Sequence, residues 1–368
     1  MKYYIIAGEA SGDLHGSNLI KEIKKKDSNA IIRGWGGDLM KSEGVTIVKH
    51  IKDLAFMGFW EVLSNLRSII HNLSFCKKDI ILFNPDTIIY IDYPGFNLRI
   101  AKWAKNCSFN NQYYISPQVW AWKESRVKIL KKYIDNLYVI LPFEKKYFKK
   151  THSLNVEYVG HPLVEHLLKI KKEPSFIKKN KLDKTKEIIT LMPGSRKQEI
   201  NKILPIFIGV INNFKSYQFV IAAAPSIDSS FYLSILKNND IKIIHDNTYN
   251  LLTHSKAALV TSGTATLETA LLKIPQLVCY KTSPISYFIA KILVNINYIS
   301  LVNLILNKEV VKELIQKNCT VNKITKELQD LLMKKNKSIL KEYDILIKTI
   351  GNNRASEKTS QFIINSIK

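Results

Sequence analysis

Short apolar runs alternate with segments of helical periodicity along this chain, and that alternation restricts the fold more than any other feature of the sequence. Runs of this length suit strands that are buried on both faces, as in a parallel sheet covered by helices. We therefore predict an α/β protein of two doubly wound, Rossmann-like domains. The predicted strands are residues 3–7, 30–33, 87–91, 112–115, 137–141 and 156–159 in the first half, and 187–192, 218–222, 241–244 and 257–260 in the second.

The length of the chain agrees with two domains, because 368 residues with 46% hydrophobic content can bury a large core. Residues 168–186 are rich in lysine and have the composition of a linker. We predict one domain at residues 1–170 and a second at 187–350. Past residue 306 the chain is predicted to be helical to its end, with a last helix at 351–368 that returns to the first domain.

Neither a signal peptide nor a membrane span is predicted. The apolar run at residues 3–7 is too short for a signal peptide, and polar residues such as Lys291 and Asn303 interrupt the apolar stretch at 285–306. The four cysteines lie far apart without zinc-site spacing, so we expect reduced thiols inside the cell.

The chain is strongly basic, with 55 Lys and Arg against 31 Asp and Glu and a formal net charge of +24. This excess would attract nucleic acid, anionic lipid or a phosphorylated substrate. A genome-wide bias toward lysine would produce the same excess, so the charge alone leaves the partner open.

The sequence TSGTATLE at residues 261–268 is the strongest candidate for a ligand site. A predicted strand turns here through Ser-Gly-Thr into a helix, whose first backbone N–H groups would point at one spot and favour a phosphate. Glu268, one turn further on, could accept both hydroxyls of a ribose, so the motif suits a nucleotide diphosphate. The alternative is an N-cap followed by an ordinary helix. The predicted contacts are Ser262, Gly263, Thr264, Ala265, Thr266 and Glu268.

A second turn, LMPGSR at residues 191–196, also follows a predicted strand of the second half and ends on Arg196. Arginine donates two parallel hydrogen bonds, which suits a pyrophosphate. The alternative is an exposed arginine at the start of a helix.

Asp92 lies in IDYPGFN, at the carboxyl end of the predicted strand 87–91, which is where ligands collect in such sheets. Apolar residues precede it and Pro94-Gly95 turns the chain after it, so a partly desolvated carboxylate is predicted. Such a group can act as a general base. The alternative is a carboxylate that caps the following helix.

The glycine-rich turn GEASGD at residues 8–13 matches neither the dinucleotide-binding fingerprint nor the P-loop. Glu9 and Asp13 would repel a phosphate, so we predict an uncharged or hydroxyl-rich ligand group beside this turn. Ser11 or Asp13 is predicted to cap a helix at residues 14–25. The alternative is a turn that only joins two core elements.

Two stretches rich in aromatic or apolar residues could either pack in the core or contact a ligand or lipid. The stretch YISPQVWAW at residues 114–122 could line a sugar or acyl site, although such rings are more often core. Residues 59–73 predict a helix with one apolar face, which either packs on a sheet or dips into lipid. The predicted membrane contacts are Phe59, Val62, Leu63, Leu66, Ile69 and Ile70.

Nine motifs together resemble, in order, those of the lipid-A-disaccharide synthases, and the resemblance covers nearly the whole chain. The motifs are GEASGD (8–13), MGFWEVL (57–63), IDYPGFN (91–97), SPQVWAW (116–122), LPFE (141–144), VGHP (159–162), PGSR (193–196), SGTATLE (262–268) and SLVNL (300–304).

The resemblance implies a glycosyltransferase B fold, in which two Rossmann-like domains face each other across a cleft. The implied reaction joins UDP-2,3-diacylglucosamine to 2,3-diacylglucosamine 1-phosphate, which gives a β(1→6)-linked disaccharide and UDP for lipid A. No cofactor and no metal is implied. The implied place is the cytoplasmic face of the bacterial inner membrane, and the resemblance suggests a homodimer with exchanged C-terminal helices.

The resemblance also implies roles for single residues. Asp92 would be the general base, Arg196 and the N–H groups after Gly263 would stabilise the leaving UDP, and Asn303 would lie near its phosphates or sugar. The family's usual SLPN reads SLVN here, and Gly95 stands where the family often has a second acid. The predicted acceptor region comprises Glu9, Ser11, Gly12, Asp13, Asn97, Ser116 and Trp120.

Two rival functions remain at this point. A UDP-sugar epimerase could use the same pair of domains without an acceptor. A non-catalytic nucleic-acid-binding protein would explain the charge, but it would leave TSGTATLE, PGSR and IDYPGFN without a role.

Overall fold

The structure, a computed structural model, describes residues 1–54, 66–167, 170–237, 239–294, 296–351 and 354–367. It divides into two compact units, Met1–Pro162 with Asn353–Lys368, and Leu163–Asn352. The break between them therefore precedes the lysine-rich segment 168–186. Phe176 and Leu182 of that segment are buried in the core of the second unit, beside Ile188 and Val220, because their apolar side chains cover one face of its sheet.

Within the described residues, the first unit contains a seven-stranded parallel sheet in the order β3-β2-β1-β4-β5-β6-β7. The strands are β1 Lys2–Ala7, β2 Ile31–Gly36, β3 Thr46–His50, β4 Thr87–Ile91, β5 Asn111–Tyr114, β6 Asn136–Val139 and β7 Glu157–Tyr158. The helices of this unit are Ala10–Lys26, Asp38–Ser42, Leu66–Phe83, Pro94–Asn106, Arg126–Tyr133, Pro142–His152 and Ala355–Ile367.

The second unit contains a six-stranded parallel sheet, again counted within the described residues, in the order β10-β9-β8-β11-β12-β13. Its strands are β8 Glu187–Met192, β9 Tyr217–Ala222, β10 Lys242–Ile244, β11 Ser255–Thr261, β12 Gln276–Tyr280 and β13 Lys312–Ile315. Its helices are Phe176–Lys179, Lys197–Ile211, Ser229–Leu236, Thr248–Thr253, Thr264–Leu271, Pro284–Leu293, Leu301–Leu306, Val321–Asp330 and Asn336–Ile350, and the helix Pro162–Leu167 joins the two units.

Both sheets reverse their strand order at one point, between β1 and β4 in the first and between β8 and β11 in the second. At such a point the connections leave in opposite directions, so the loops open a crevice at the carboxyl ends of the strands. The register pairs Ala7 with Ile91 and Met192 with Val260. The turns GEASGD and IDYPGFN are thereby neighbours, and so are PGSR and TSGTATLE.

The predicted α/β class with two doubly wound sheets is confirmed, and three details of the prediction are wrong. The strands β3, β12 and β13 were not predicted, and β13 interrupts the region past residue 306 that we expected to be helical throughout. The first helix begins at Ala10 rather than 14, so Ser11 and Asp13 lie in its first turn and Glu9 precedes it.

The last helix, Ala355–Ile367, packs on the helix Ala10–Lys26 of the same chain, and its Phe362 ring stacks on Tyr138. Its Lys358 Nζ donates to the carbonyl of Tyr158 at the far edge of the first sheet. In the described part of the chain, the helices are too short or too polar to cross a bilayer.

Candidate active site

A cavity of about 830 Å³ opens at the carboxyl edge of the second sheet. The ends of β8, β9 and β11 form it, together with the loop that precedes the helix Thr248–Thr253. The two turns predicted from sequence, PGSR and TSGTATLE, meet on this one cavity. Predicted site residues that line it are Arg196, Ser262, Gly263, Thr264, Ala265 and Glu268.

The backbone conformation at residue 263 explains why glycine occupies this position. Gly263 has a φ of +148°, which side-chain-bearing residues rarely adopt, and a Cβ built there would meet no atom within 4 Å. The helix Thr264–Leu271 begins directly after it, so the amide groups of Thr264 and Ala265 have no acceptor in an earlier turn. A backbone donor pair thus faces open space, which suits a phosphate.

Two hydroxyls of the same motif are already engaged. The Thr266 hydroxyl is buried, donates to the carbonyl of Gly263 at 2.8 Å and accepts from Leu301 N at 3.3 Å. The Ser262 hydroxyl donates to the carbonyl of Ile299 at 2.8 Å. The Thr266 hydroxyl, which we predicted as a ligand contact, thus holds the turn in this structure.

Asn303, predicted near the phosphates or sugar, is engaged within the protein. Its side chain is fully buried and all four hydrogen-bonding positions are occupied: Val310 N and Val311 N donate to Oδ1, and Nδ2 donates to Val311 O and Glu313 Oε1, at 2.8 to 3.0 Å. Glu313 in turn accepts from the amides of Ile299 and Ser300. Asn303 therefore fixes the SLVNL loop from within and has no donor left for a ligand.

Glu268 is a half-buried carboxylate at the wall of the cavity. Burial raises its pKa above the ordinary glutamate value, and a hydrogen bond from Tyr249 opposes that rise. The Tyr249 hydroxyl donates to Glu268 Oε1 at 3.3 Å and lines the same cavity. The second oxygen, Oε2, can accept from a ligand hydroxyl. Sequence reasoning missed Tyr249, because nothing in its local sequence links it to Glu268.

Arg196 stands at the rim of the cavity with 72% of its side chain exposed. Its nearest acid is Glu199, with Nη1 to Oε1 at 3.6 Å, and Glu199 also accepts from the Ser195 amide at 3.1 Å. An exposed pair at this distance is weak, so a phosphate could readily replace Glu199 as the partner of the guanidinium.

Asp92 lies at the switch point of the first sheet in an unusual backbone conformation. Asp92 and Tyr93 both have positive φ, +45° and +50°, which non-glycine residues seldom adopt. The Asp92 carbonyl is held by the Tyr113 hydroxyl at 2.6 Å and by Asn97 Nδ2 at 2.7 Å. These two buried donors stabilise the strained turn that carries the carboxylate. Asn97, predicted in the acceptor region, is thus a positioning residue.

The Asp92 carboxyl has a pKa of about 6, above the usual aspartate value. Burial is the largest cause, and the charge of Glu9 adds to it, while the Tyr93 amide and Arg126 act in the opposite direction. Glu9 is exposed and directly precedes the helix Ala10–Lys26. A carboxyl that titrates near neutrality can accept a proton from an alcohol.

Asp13, predicted in the acceptor region, has a structural role in this fold. Its buried carboxylate accepts from the amides of Gly37, Leu39 and Met40, at 2.7, 3.1 and 3.0 Å, and so caps the helix Asp38–Ser42. Gly12 is buried beneath the turn, where a Cβ would lie 3.2 Å from Ala7 Cβ, whereas Ser11 is exposed. Glu9, Ala10 and Ser11 are the exposed residues of this motif.

Trp120 and Ser116 belong to the loop after β5. Trp120 Nε1 donates to Glu144 Oε1 at 3.1 Å, and its ring meets Phe143 edge-on at 5.0 Å. Glu144 is buried, which raises its pKa to about 7, and it also accepts from the amides of Ile140 and Leu141. Ser116 is buried and donates to the carbonyl of Pro117. Both predicted residues thus shape the loop.

The predicted apolar helix is only partly described, because Phe59, Val62 and Leu63 lie outside the described residues. The described helix runs from Leu66 to Phe83. Ile69 is half-buried and Ile70 is exposed, while Cys76 and Ile80 fill the core on the opposite face.

No group of three or more His, Cys, Asp or Glu side chains that could hold a metal ion occurs among the described residues.

The fold, with two doubly wound parallel sheets, belongs to a class that solved structures of nucleotide-sugar epimerases and glycosyltransferases share. UDP-GlcNAc 2-epimerase from Neisseria meningitidis bound to UDP-GlcNAc superposes with a TM-score of 0.70 at 13% identity, over 100% of this chain and 99% of that chain. The calicheamicin glycosyltransferase CalG4 superposes with a TM-score of 0.61 at 13% identity, over 99% and 98%. Identity this low relates the folds alone.

Sequence comparison then distinguishes between the members of this class. The family model described as lipid-A-disaccharide synthetase matches residues 3–365. Lipid-A-disaccharide synthase of Syntrophus aciditrophicus is 35% identical over 99% of this chain and 97% of its own, and that of Francisella philomiragia is 36% identical over 93% of both. The chain belongs to the lipid-A-disaccharide synthase family. It is an enzyme, a glycosyltransferase of lipid A disaccharide synthesis, and the predicted resemblance is confirmed.

Proposed function

We propose that this enzyme joins UDP-2,3-diacylglucosamine to 2,3-diacylglucosamine 1-phosphate in a single inverting displacement. The observation that carries the proposal is the convergence of Arg196, the Gly263 turn and the Glu268 carboxylate on one cavity of the second unit. A cation, a backbone donor pair and a carboxylate are the three groups that a nucleoside diphosphate needs.

In the proposed reaction, the 6-hydroxyl oxygen of the acceptor forms a bond to the anomeric carbon of the donor. The bond from that carbon to the UDP oxygen breaks, and the hydroxyl proton passes to Asp92. Arg196 and the amides after Gly263 stabilise the negative charge that grows on the leaving diphosphate. Glu268 would accept from the ribose hydroxyls. The pKa of about 6 at Asp92 supports its role, because the carboxyl is then largely ionised at neutral pH.

We further propose that the enzyme works on the cytoplasmic face of the inner membrane, where acylated substrates reside. The formal charge of +24 would attract anionic headgroups. The helix Leu66–Phe83 supports this proposal, since Ile70 and Leu82 expose 59% and 84% of their surface there. Exposed apolar side chains on a basic protein can insert at the headgroup boundary.

The test is to incubate the protein with UDP-diacylglucosamine, with and without the monosaccharide phosphate, and to measure UDP and lipid products. We expect UDP and a disaccharide lipid only when both substrates are present. Conversion of the UDP-sugar without an acceptor would indicate an epimerase instead. Arg196→Ala should lower kcat/KM by roughly 10²- to 10³-fold through lost stabilisation of the diphosphate. Lys197→Ala, at a neighbouring exposed cation that does not line the cavity, is the control and should stay near wild type.

A further inference from the structure

The loop after β5 carries two cations on one exposed indole in the first unit. The Lys123 ammonium lies 4.2 Å from the centroid of the Trp122 ring, and the Arg126 guanidinium carbon lies 5.8 Å from it. Trp122 exposes 40% of its surface, which is unusual for so large an apolar side chain. Cation–π contacts offset part of the repulsion between the two like charges, but they leave the net charge in place.

The described residues provide no ion pair for either cation. Glu124, the acid between them in sequence, is engaged on the other side, where His152 Nε2 lies 3.1 Å from its Oε1 and the Tyr147 hydroxyl donates to the same atom at 3.0 Å. The cluster Trp122, Lys123 and Arg126 is therefore a positively charged surface without a bound counter-charge. Two cations on one exposed ring attract an anion more strongly than a single cation does.

The cluster is rigidly built, unlike an ordinary run of surface lysines. The Trp122 amide donates to Gln118 O at 3.3 Å and the Arg126 amide to Lys123 O at 3.0 Å, and Lys123 takes a left-handed φ of +54°. The hydrogen bond from Trp120 to buried Glu144 anchors the same loop from below. These bonds fix the backbone that carries the two cations before any ligand arrives, which lowers the entropic cost of binding.

The loop after β5, which carries the cluster, also neighbours the turn of the proposed base, because β4 and β5 pair with Ile91 opposite Tyr114 and the Asp92 amide donates to Tyr114 O at 3.1 Å. The charge of Arg126 acts on the Asp92 carboxyl and on the phenol of Tyr113, whose hydroxyl holds the Asp92 carbonyl. In the acceptor that we propose, C1 carries the phosphate and C5 carries the 6-hydroxymethyl group, and these two carbons flank the ring oxygen. A sugar that places its 6-hydroxyl at Asp92 therefore carries its phosphate near the same turn, where a cationic site would bind it.

We propose that Trp122, Lys123 and Arg126 form the site that binds the phosphate of the acceptor sugar and so determines the specificity for a phosphorylated acceptor. This inference rests on the proposed function. The planar guanidinium of Arg126 would donate two parallel hydrogen bonds to the phosphate, Lys123 would supply a second charge, and the indole would fix both.

The experiment compares two acceptors, diacylglucosamine 1-phosphate and the same sugar without its phosphate, at saturating UDP-diacylglucosamine. Wild type should prefer the phosphorylated acceptor. Arg126→Ala should raise KM for that acceptor by roughly 10- to 100-fold, as for a lost hydrogen bond to a charged group, and change KM for the phosphate-free sugar by less than about threefold. Lys123→Ala should show the same contrast with a smaller amplitude. Lys128→Ala, an exposed cation on the same helix, should change neither value.

Each remaining outcome decides against one of the two proposals. An equal rise in KM for both acceptors in Arg126→Ala would overturn the phosphate site, because it would mean that Arg126 acts through Asp92 or the loop. Equal use of both acceptors by wild type would overturn it too. Wild-type protein that transfers to neither acceptor would overturn the proposed function itself. If Arg126→Ala fails to fold, Arg126→Lys is the second variant, because it keeps the charge but loses the two parallel donors of the guanidinium. It should still raise KM for the phosphorylated acceptor alone.

Discussion

Asp92 combines two unfavourable features, a left-handed backbone and a half-buried carboxylate. Its raised pKa means that ionisation opposes folding between the unfolded value near 4 and about 6, and the cost is fully present above pH 6. An asparagine side chain at this position would carry no charge, and asparagine tolerates a positive φ. We expect Asp92→Asn to stabilise the protein by about 1 to 3 kcal/mol at pH 8 and to lower turnover by roughly 10²- to 10⁴-fold.

Thermal melts at pH 8 and pH 4, with turnover measured beside them, would check this prediction. The gain in stability should shrink to a small remainder near pH 4, where Asp92 is protonated in the folded state and about half protonated in the unfolded state. Wild-type turnover should fall as the pH drops through about 6, because the base becomes protonated. A variant that keeps near-normal turnover would remove Asp92 from the role of base, and an unchanged UDP affinity would show that the second unit is intact.

Residue types alone did not separate ligand contacts from structural contacts. Glu268 and Asp13 are both acids that follow a glycine turn, yet Asp13 accepts three backbone amides and Glu268 accepts one tyrosine hydroxyl. The difference depends on Gly37 and Tyr249, which lie 24 and 19 residues away. Local sequence therefore predicted where polar groups collect, but not which of them remain open to a ligand.

The turns that follow β1 and β4 interlock at the level of secondary structure. A Cβ at Gly8 would lie 2.4 Å from the Tyr93 ring, so only glycine allows that ring to close over the turn. Gly95, two residues after Tyr93, is exposed, and a Cβ there would meet nothing within 4 Å. We expect Gly8→Ala to displace Tyr93, to lower turnover at least tenfold and to destabilise the fold by about 1 to 3 kcal/mol through overpacking.

Gly95→Ala is the matched control for this prediction, since both variants add one methyl group to the same crevice. It should keep full turnover and leave stability unchanged or raise it by about 0.5 to 1 kcal/mol, because alanine is the better helix former. Turnover and denaturant melts of the two variants would decide. Full activity in Gly8→Ala would mean that the position of Tyr93 does not set the geometry of Asp92.

The strands that sequence analysis missed show which elements local patterns cannot identify. β3 and β13 are edge strands of their sheets, and their sequences TIVKH and KELI mix charged with apolar residues. A strand that is buried on one side only needs no continuous apolar run. By contrast β4, at the centre, is buried at every position and was predicted with its observed bounds.

Local binding sites explain only part of the net positive charge of the whole molecule. The cavity of the second unit and the Trp122 cluster use a few cations, whereas most of the 55 Lys and Arg are spread over the surface. A spread charge acts through its summed field, which attracts an anionic bilayer over a distance set by the salt concentration. Specific sites and general attraction therefore have different salt dependence.

Membrane attachment should accordingly depend on both charge and exposed apolar side chains. We expect binding to vesicles that contain anionic lipid, measured by co-sedimentation, to weaken steeply between about 50 and 500 mM salt, on the order of tenfold or more, and to be weak on neutral vesicles. Replacing exposed Ile70 and Leu82 together by serine should release the protein from anionic vesicles at unchanged thermal stability. Ile80→Ser, at a buried position of the same helix, should instead lower stability by about 2 to 5 kcal/mol. If the double variant unfolds yet stays bound, the helix serves the core, and attachment lies elsewhere on the basic surface.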